Sequence, residues 1–365
     1  VPETPEPPMV IRVDHDVPFV LPGKPKLPQP GFLLAVLLTL CYWLALIGSM
    51  IALLVVVVLC QAVLGEKGAP EVNSGADAGS VESLSPVLRA ALAWSFPAGY
   101  LGGLVFSIIV LFSIVGRNWI RDLGLTRLPP YHLMLGMLAL PGFIILSDLV
   151  AGLAKPIDDF VTRCTGLGGV GDTAQALRVL FQDSHWSFAV LAIGIGPGLV
   201  EELWCRGFLG RGFIARYGWF AGIALSSLFF GMLHLWPISY VIVTAFMGAC
   251  LHFAYVTSRS LWVPIAMHLV NNSFAALIAI KIVPGEEIET VMLTRPTPII
   301  VAAACLLLFC GLAMWHSRWT WPGEMRGVLI PPKGSSSALT AAKPAIIYTM
   351  ASIGFCAVLI GLFCV

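Results

Sequence analysis

The sequence predicts an all-α, polytopic transmembrane helical bundle of about nine spans. Three observations carry that prediction. Hydrophobic residues make up 58% of the 365-residue chain and charged residues only 11%, against roughly 25% charged in a typical soluble domain. So few charges cannot cover a water-facing surface, and the mean hydropathy of +0.89 says the same. Nine apolar runs lie near 32–63, 90–115, 131–152, 186–209, 218–235, 238–256, 261–280, 298–315 and 345–364. In hydrocarbon such runs must be helices, because each backbone N–H and C=O needs a partner within the chain. The loops between them also alternate in charge, as membrane topology requires.

Residues 1–30 are Pro-rich and polar (PETPEPP, PGKPKLPQP) and read as an extended, disordered tail. Residues 31–184 read as N-terminal transmembrane helices and loops. Within them, 65–88 is a polar Gly/Ser/Ala-rich connection. The stretch 154–184 reads as a long loop with a short amphipathic helix at 173–182. Basic residues gather at Arg117, Arg121 and Arg127, at Arg211 and Arg216, at Arg259, and at Arg318, Arg326, Lys333 and Lys343. Acidic or mixed loops alternate with these: Glu66 to Glu82, Asp158 to Asp183, and Glu286 to Glu289. With nine spans this places the N-terminus in the cytoplasm and the C-terminus outside. Nine cysteines sit mostly in apolar runs without a CxxC pair, so they read as small buried hydrophobes.

Charged residues inside a span are costly and mark functional sites by default. They concentrate in the middle of the chain. The fourth span carries Glu201, Glu202 and Arg206, the fifth His234, and the seventh His268, Asn271 and Asn272. Glu202 and Arg206 stand four residues apart, share a helix face and can pair. Glu201 is rotated about 100° from Glu202 and points elsewhere, as the freer carboxylate. Phe230 and His234 share a face, as do His268 and Asn272. Isolated Asp148 and His252 read as interfacial and helix-locking residues, respectively. The run Gly194-Ile-Gly-Pro197-Gly198 is expected to break the helix just before Glu201.

A carboxylate beside a neutral histidine can hold and deprotonate water. A second histidine and an amide can stabilise an oxyanion. Glu201, His234, His268 and Asn272 therefore suit attack of water on an amide carbonyl. Equally, Glu201, His234 and His268 could ligate a divalent metal such as zinc that activates the water. The pattern is not HExxH, and residue spacing leaves both mechanisms open. No GxSxG, phosphate-binding loop or dinucleotide fingerprint is present, and the net charge is +1. Neither a nucleotide nor a nucleic acid is expected as a partner.

The run Pro197-Gly-Leu-Val-Glu201-Glu202-Leu-Trp-Cys-Arg206-Gly207 resembles the EExxxR motif of the CPBP family, the CAAX prenyl proteases and bacteriocin-processing (Abi) intramembrane proteases. Phe230-Gly-Met-Leu-His234 is similar to its FxxxH motif, and His268-Leu-Val-Asn271-Asn272 to its HxxxN motif. The stretch from Gly248 through Tyr255 to Leu261 is also similar. The resemblance implies a CAAX-protease-like core over 185–282, followed by C-terminal transmembrane helices over 283–365. It implies that Glu201 and His234 activate water, that His268 and Asn272 stabilise the oxyanion, and that Glu202, Arg206, Phe230 and Asn271 support them. Cys205 departs from the family, where an aromatic residue is common, and reads as a packing position. The implied activity is hydrolysis of a peptide bond in a membrane-embedded or lipid-anchored protein or peptide. The implied location is the bilayer, in a bacterial inner membrane. Two other readings stay open: a catalytically idle scaffold or immunity protein, and an ion-coupled transporter.

One difficulty concerns depth. With simple spans, Glu201 lies toward the inner end of the fourth and His234 toward the outer end of the fifth. The two can meet only if the fourth helix runs on past Gly210 or the fifth tilts or bends.

Overall fold

Helices account for the regular structure in the computed structural model, which describes residues 30–64, 84–165, 173–181, 184–234, 237–278 and 297–318. No strand occurs among the described residues. The elements are α1 (Phe32–Leu64), α2 (Pro86–Val110), α3 (Trp119–Asp122), α4 (Pro130–Thr165), α5 (Thr173–Phe181), α6 (Trp186–Ala189), α7 (Gly196–Glu202), α8 (Arg211–Met232), α9 (Ile238–Ser258), α10 (Trp262–Leu277) and α11 (Thr297–His316). Six helical stretches among the described residues are long and apolar enough to cross a membrane. The chain is a multi-pass integral membrane protein with an all-α transmembrane bundle.

The first eight apolar runs form helices over their described residues, with two differences of substance. The fourth and fifth form one helical path, Trp186–Met232, in which π-helical segments at Val190–Ile195 and Leu203–Gly210 flank α7. The path turns at Gly218, whose φ of 81° and ψ of 169° interrupt α8; a side chain rarely tolerates that φ. The third run continues to Thr165, so the expected loop from 154 begins as helix. With 36 residues, α4 is about 54 Å long and overshoots a hydrocarbon core of about 30 Å. Asp148 therefore lies mid-helix, not at an end. The short helix expected at 173–182 is α5. The Pro-rich tail to residue 29, most of the polar connection 65–88, the acidic residues Glu286 to Glu289 and the ninth run lie outside the described residues.

The helix past Gly210 resolves the depth problem. Glu201 lies 17 residues before Gly218 and His234 16 residues after it. At 1.5 Å per residue both stand about 25 Å from the turn.

Packing brings the distant spans onto this path. A buried aromatic core of Trp204, Phe208, Phe213 and Phe230 lies between it, α1 and α9. Tyr42 of α1 stacks on Trp204 with ring centroids 4.9 Å apart, and Trp204 Nε1 donates to Thr39 Oγ1 at 3.3 Å. On α2, Gly99 and Gly102 abut Met50 and Ser49 of α1, the small-residue seam by which membrane helices approach closely. At one end of the bundle the 116–129 and 259–261 connections meet. Trp262 Nε1 donates to Leu125 O at 2.7 Å, and Ser260 Oγ donates to Arg127 O. At the other end Asp158 of α4 accepts from Ser239 N at 3.0 Å. That residue, read from sequence as a loop acid, caps the N-terminus of α9 from another helix.

Candidate functional site

The two glutamates occupy the last two positions of α7, between the π-helical segments. The expected break at Gly194–Gly198 is absent; the backbone widens into π turns instead. Such turns recur at functional sites. The glycines serve close approach. A Cβ on Gly198 would lie 3.0 Å from the Leu269 backbone of α10, and one on Gly194 would strike Ser273 Oγ. α10 therefore lies directly against α7 and brings His268 and Asn272 to the glutamates.

Glu202 is fully buried. Its Oε1 accepts from Arg206 Nη1 at 2.7 Å and from His268 Nδ1 at 2.8 Å. The pairing of Glu202 with Arg206 is the one expected from their spacing; the bond to His268 is not visible in sequence. Arg206, itself 1% exposed, donates through Nη2 to Gly248 O at 3.0 Å and lies over the Phe230 ring at 4.3 Å. Burying a guanidinium requires this kind of partner set.

His268 has its other nitrogen engaged as well. Asn272 Nδ2 meets His268 Nε2 at 3.1 Å, and Asn271 Nδ2 donates to Asn272 Oδ1 at 3.1 Å. The chain of donors runs from Asn271 through Asn272 and His268 to Glu202. The network thereby assigns the proton of His268 to Nδ1.

Glu201 is 7% exposed. Oε1 accepts from the Tyr100 hydroxyl of α2 at 3.1 Å. Oε2 has no hydrogen-bond partner among the described residues and lies 3.9 Å from His268 Nε2. Glu202 Oε2 also has no hydrogen-bond partner among the described residues, so Glu201 is the freer carboxylate in that its one bond is to a neutral hydroxyl, whereas Glu202 holds Arg206 and His268; Tyr100 is a residue that sequence reasoning missed. A lone tyrosine hydroxyl in the Gly99-Tyr100-Leu101 stretch of an apolar span was the available signal.

His234 lies in the turn two residues past the end of α8. Its Nδ1 lies 3.0 Å from Phe230 O; a carbonyl can only accept, so Nδ1 carries the proton and Nε2 is the acceptor nitrogen. Phe230 joins it to the rest, edge-on to His234 at 5.1 Å and to His268 at 5.7 Å. Tyr240 lies 5.2 Å from His234. His252 sits apart and buried, with Nδ1 2.6 Å from Ser226 Oγ, in the helix-locking role expected of it. Cys205 is fully buried packing.

The three groups that could ligate a divalent metal do not converge. His268 has both ring nitrogens engaged by Glu202 and Asn272. Among the described residues no three His, Cys, Asp or Glu side chains form a metal-holding set. Zinc does not fit this arrangement, and the chemistry is derived below from the chain's own groups.

Comparison with known proteins bears on the same segment. Residues 183–274 match the family described as type II CAAX prenyl endopeptidase Rce1-like. The match is with this segment alone and shows what the segment is similar to. The chain is also 28% identical over 143 residues to a Bacillus subtilis protein named "Putative membrane peptidase YdiL". That match covers 39% of this chain and 56% of the relative, so the chain spans little more than half the length of the curated relative. No solved structure matches the chain. The matched segment contains Glu201, Glu202, Arg206, His234, His268 and Asn272, whereas Tyr100 lies outside it.

Proposed function

We propose that the chain is an intramembrane endopeptidase that hydrolyses a peptide bond of a membrane-embedded or lipid-anchored protein. The observation that carries this reading is the half-engaged carboxylate of Glu201. One oxygen is fixed by Tyr100 and the other, buried and without a donor, lies beside His268 Nε2. A buried carboxylate poised this way is a base for water.

In the proposed reaction Glu201 takes a proton from water as the water oxygen bonds to the carbonyl carbon. His234, through Nε2, accepts a hydrogen bond from the same water. The negative charge passes to the carbonyl oxygen. Asn272 keeps one amide N–H beyond the one given to His268, and that N–H donates to the oxyanion. Glu202, anchored by Arg206, holds the His268 ring through Nδ1, and His268 Nε2 in turn holds the Asn272 amide in place for that donation. The intermediate collapses by breaking the C–N bond, and the proton held by Glu201 goes to the leaving amine. Products are a carboxylic acid and an amine, with one water consumed.

We infer that the core of this machinery is 185–282, with α1 and α2 as one of its walls. The end of the bundle carrying Arg117, Arg121, Arg211, Arg216 and Arg259 is assigned to the cytoplasm by its charge.

The test is mass-spectrometric mapping of protein termini in host membranes holding either the native chain or Glu201→Gln at matched abundance. New termini present only with the native chain are expected. Identical maps with both proteins folded would overturn the reading.

A further inference from the structure

We propose that Tyr100, from the second helix and outside the matched segment, is a positioning residue for the carboxylate of Glu201. The inference deepens the peptidase reading and rests on it for its kinetic consequence.

The argument starts from geometry. α2 packs on α7, and Gly196 makes this possible: a Cβ there would lie 2.8 Å from Cδ2 of the Tyr100 ring. The ring therefore lies flat against the helix one turn before Glu201. Gly103, a turn further along α2, sits against Val200 and Tyr42. These contacts fix both the height and the rotation of α2 against α7. They deliver the Tyr100 hydroxyl to Glu201 Oε1 at 3.1 Å.

The bond sorts the two carboxylate oxygens. A carboxylate with no donor rotates about its last torsion, since that torsion is broad. With Oε1 held by a hydroxyl, Oε2 alone remains to face His268 Nε2 at 3.9 Å. No other donor to Glu201 is present among the described residues: Arg206 is spent on Glu202 and Gly248 O, and the Nδ1 proton of His268 on Glu202. Tyr100 is thus the group that decides which oxygen meets the water and in which direction its lone pair points. Alignment of a reacting group to within small angles is worth orders of magnitude in rate. The second helix consequently forms part of the site and is not an appendage to the matched segment.

Tyr100→Phe tests this with two readouts, because it deletes one oxygen and keeps the ring that packs on Gly196. The first is cleavage by the full chain in proteoliposomes. Its substrate is the peptide identified by the terminus map, carrying a fluorophore and a quencher on either side of the cleaved bond. A fall of about 10- to 100-fold in kcat, with KM within about twofold, is expected. An unchanged kcat overturns the proposal, as does a change confined to KM. The second readout needs no substrate. The infrared carboxyl band that disappears in Glu201→Gln should move in frequency in Tyr100→Phe, since one oxygen loses its donor. An unmoved band overturns the proposal. Retained cleavage in Glu201→Gln would instead sink the peptidase reading, and the infrared result would stand apart from it.

Discussion

His268 Nδ1 lies 2.8 Å from Glu202 Oε1, and the same oxygen receives Arg206 Nη1 at 2.7 Å. The two adjacent glutamates are thereby divided between tasks. Glu202 is an internal counter-ion whose Oε1 fixes an imidazole and a guanidinium, whereas Glu201 is bonded to neither and turns Oε2 toward His268 Nε2 at 3.9 Å. The proposed chemistry needs both, and two substitutions should separate them.

Arg206→Ala leaves the Glu202 carboxylate buried without its ion partner. Removing one member of a buried pair costs about 3–5 kcal/mol. The substitution should lower the thermal unfolding midpoint in detergent strongly and reduce the folded yield. Glu201→Gln removes no ion pair, and its amide oxygen still accepts from Tyr100, so its midpoint should remain close to that of the native chain. Equal destabilisation by both would contradict the division of roles.

The approach of α10 to α7 depends on Gly198. A Cβ there would lie 3.0 Å from the Leu269 backbone, next to His268. The backbone cannot swing aside as a side-chain end can. Gly198→Ala should therefore push α10 outward, at an overpacking cost of about 1–3 kcal/mol, and cut cleavage at least about tenfold, because an ångström-scale misplacement can cost about 100-fold. Gly48 has nothing within 4 Å of its would-be Cβ, and Gly48→Ala should leave both quantities near native values. Unfolding midpoints and cleavage rates of the two variants check this.

Much of this arrangement is legible in the chain, for reasons that show where legibility stops. The i, i+4 spacing of Glu202 and Arg206, and of His268 and Asn272, fixes which side chains share a helix face. Both pairs are found bonded. The nature of the spans follows from hydropathy alone. The bond from His268 to Glu202 crosses 66 residues, and that from Tyr100 to Glu201 crosses 101; no periodicity speaks of helix neighbours. The glycines before Glu201 misled because sequence does not distinguish a glycine that loosens a helix from one that admits a neighbour. Pro197 likewise does not end the path: it falls where the π-helical turns pass into α7, and a locally widened turn accommodates a residue that has no N–H to give. The loop expected from 154 failed because polar residues such as Lys155, Asp158 and Asp159 mark the end of the hydrocarbon, not of the helix.

Asp158 offers a prediction away from the site. It accepts from Ser239 N at the start of α9, where the preceding residue, Pro237, supplies no side-chain cap. Asp158→Ala should cost about 0.5–2 kcal/mol, as loss of a cap does. Asp158→Asn keeps an acceptor oxygen and should recover most of it, short of the contribution of charge to the helix dipole. Unfolding midpoints of the two variants in the same detergent decide the point. The cap would be refuted by an Asn variant no better than Ala.

Gly218 sets the relative depth of Glu201 and His234, and its substitution isolates backbone from packing. Its φ of 81° disfavours any side chain, while nothing lies within 4 Å of the position a Cβ would take. Gly218→Ala therefore introduces strain without a clash. The cost of holding a non-glycine residue there is about 1–3 kcal/mol. A chain that relieves the strain by continuing the helix, or by turning a residue later, moves His234 along the axis by about 1.5 Å per residue and rotates it by about 100°. His234 would then no longer face the cluster through Phe230. The expected result is a modest loss of stability with a disproportionate loss of cleavage, at least about tenfold beyond what the folded fraction explains. Alanine at Tyr217, one residue earlier and within the helical half, should not reproduce that ratio. Cleavage per folded molecule, measured for both variants, separates a turn that fixes depth from one that merely joins two helices.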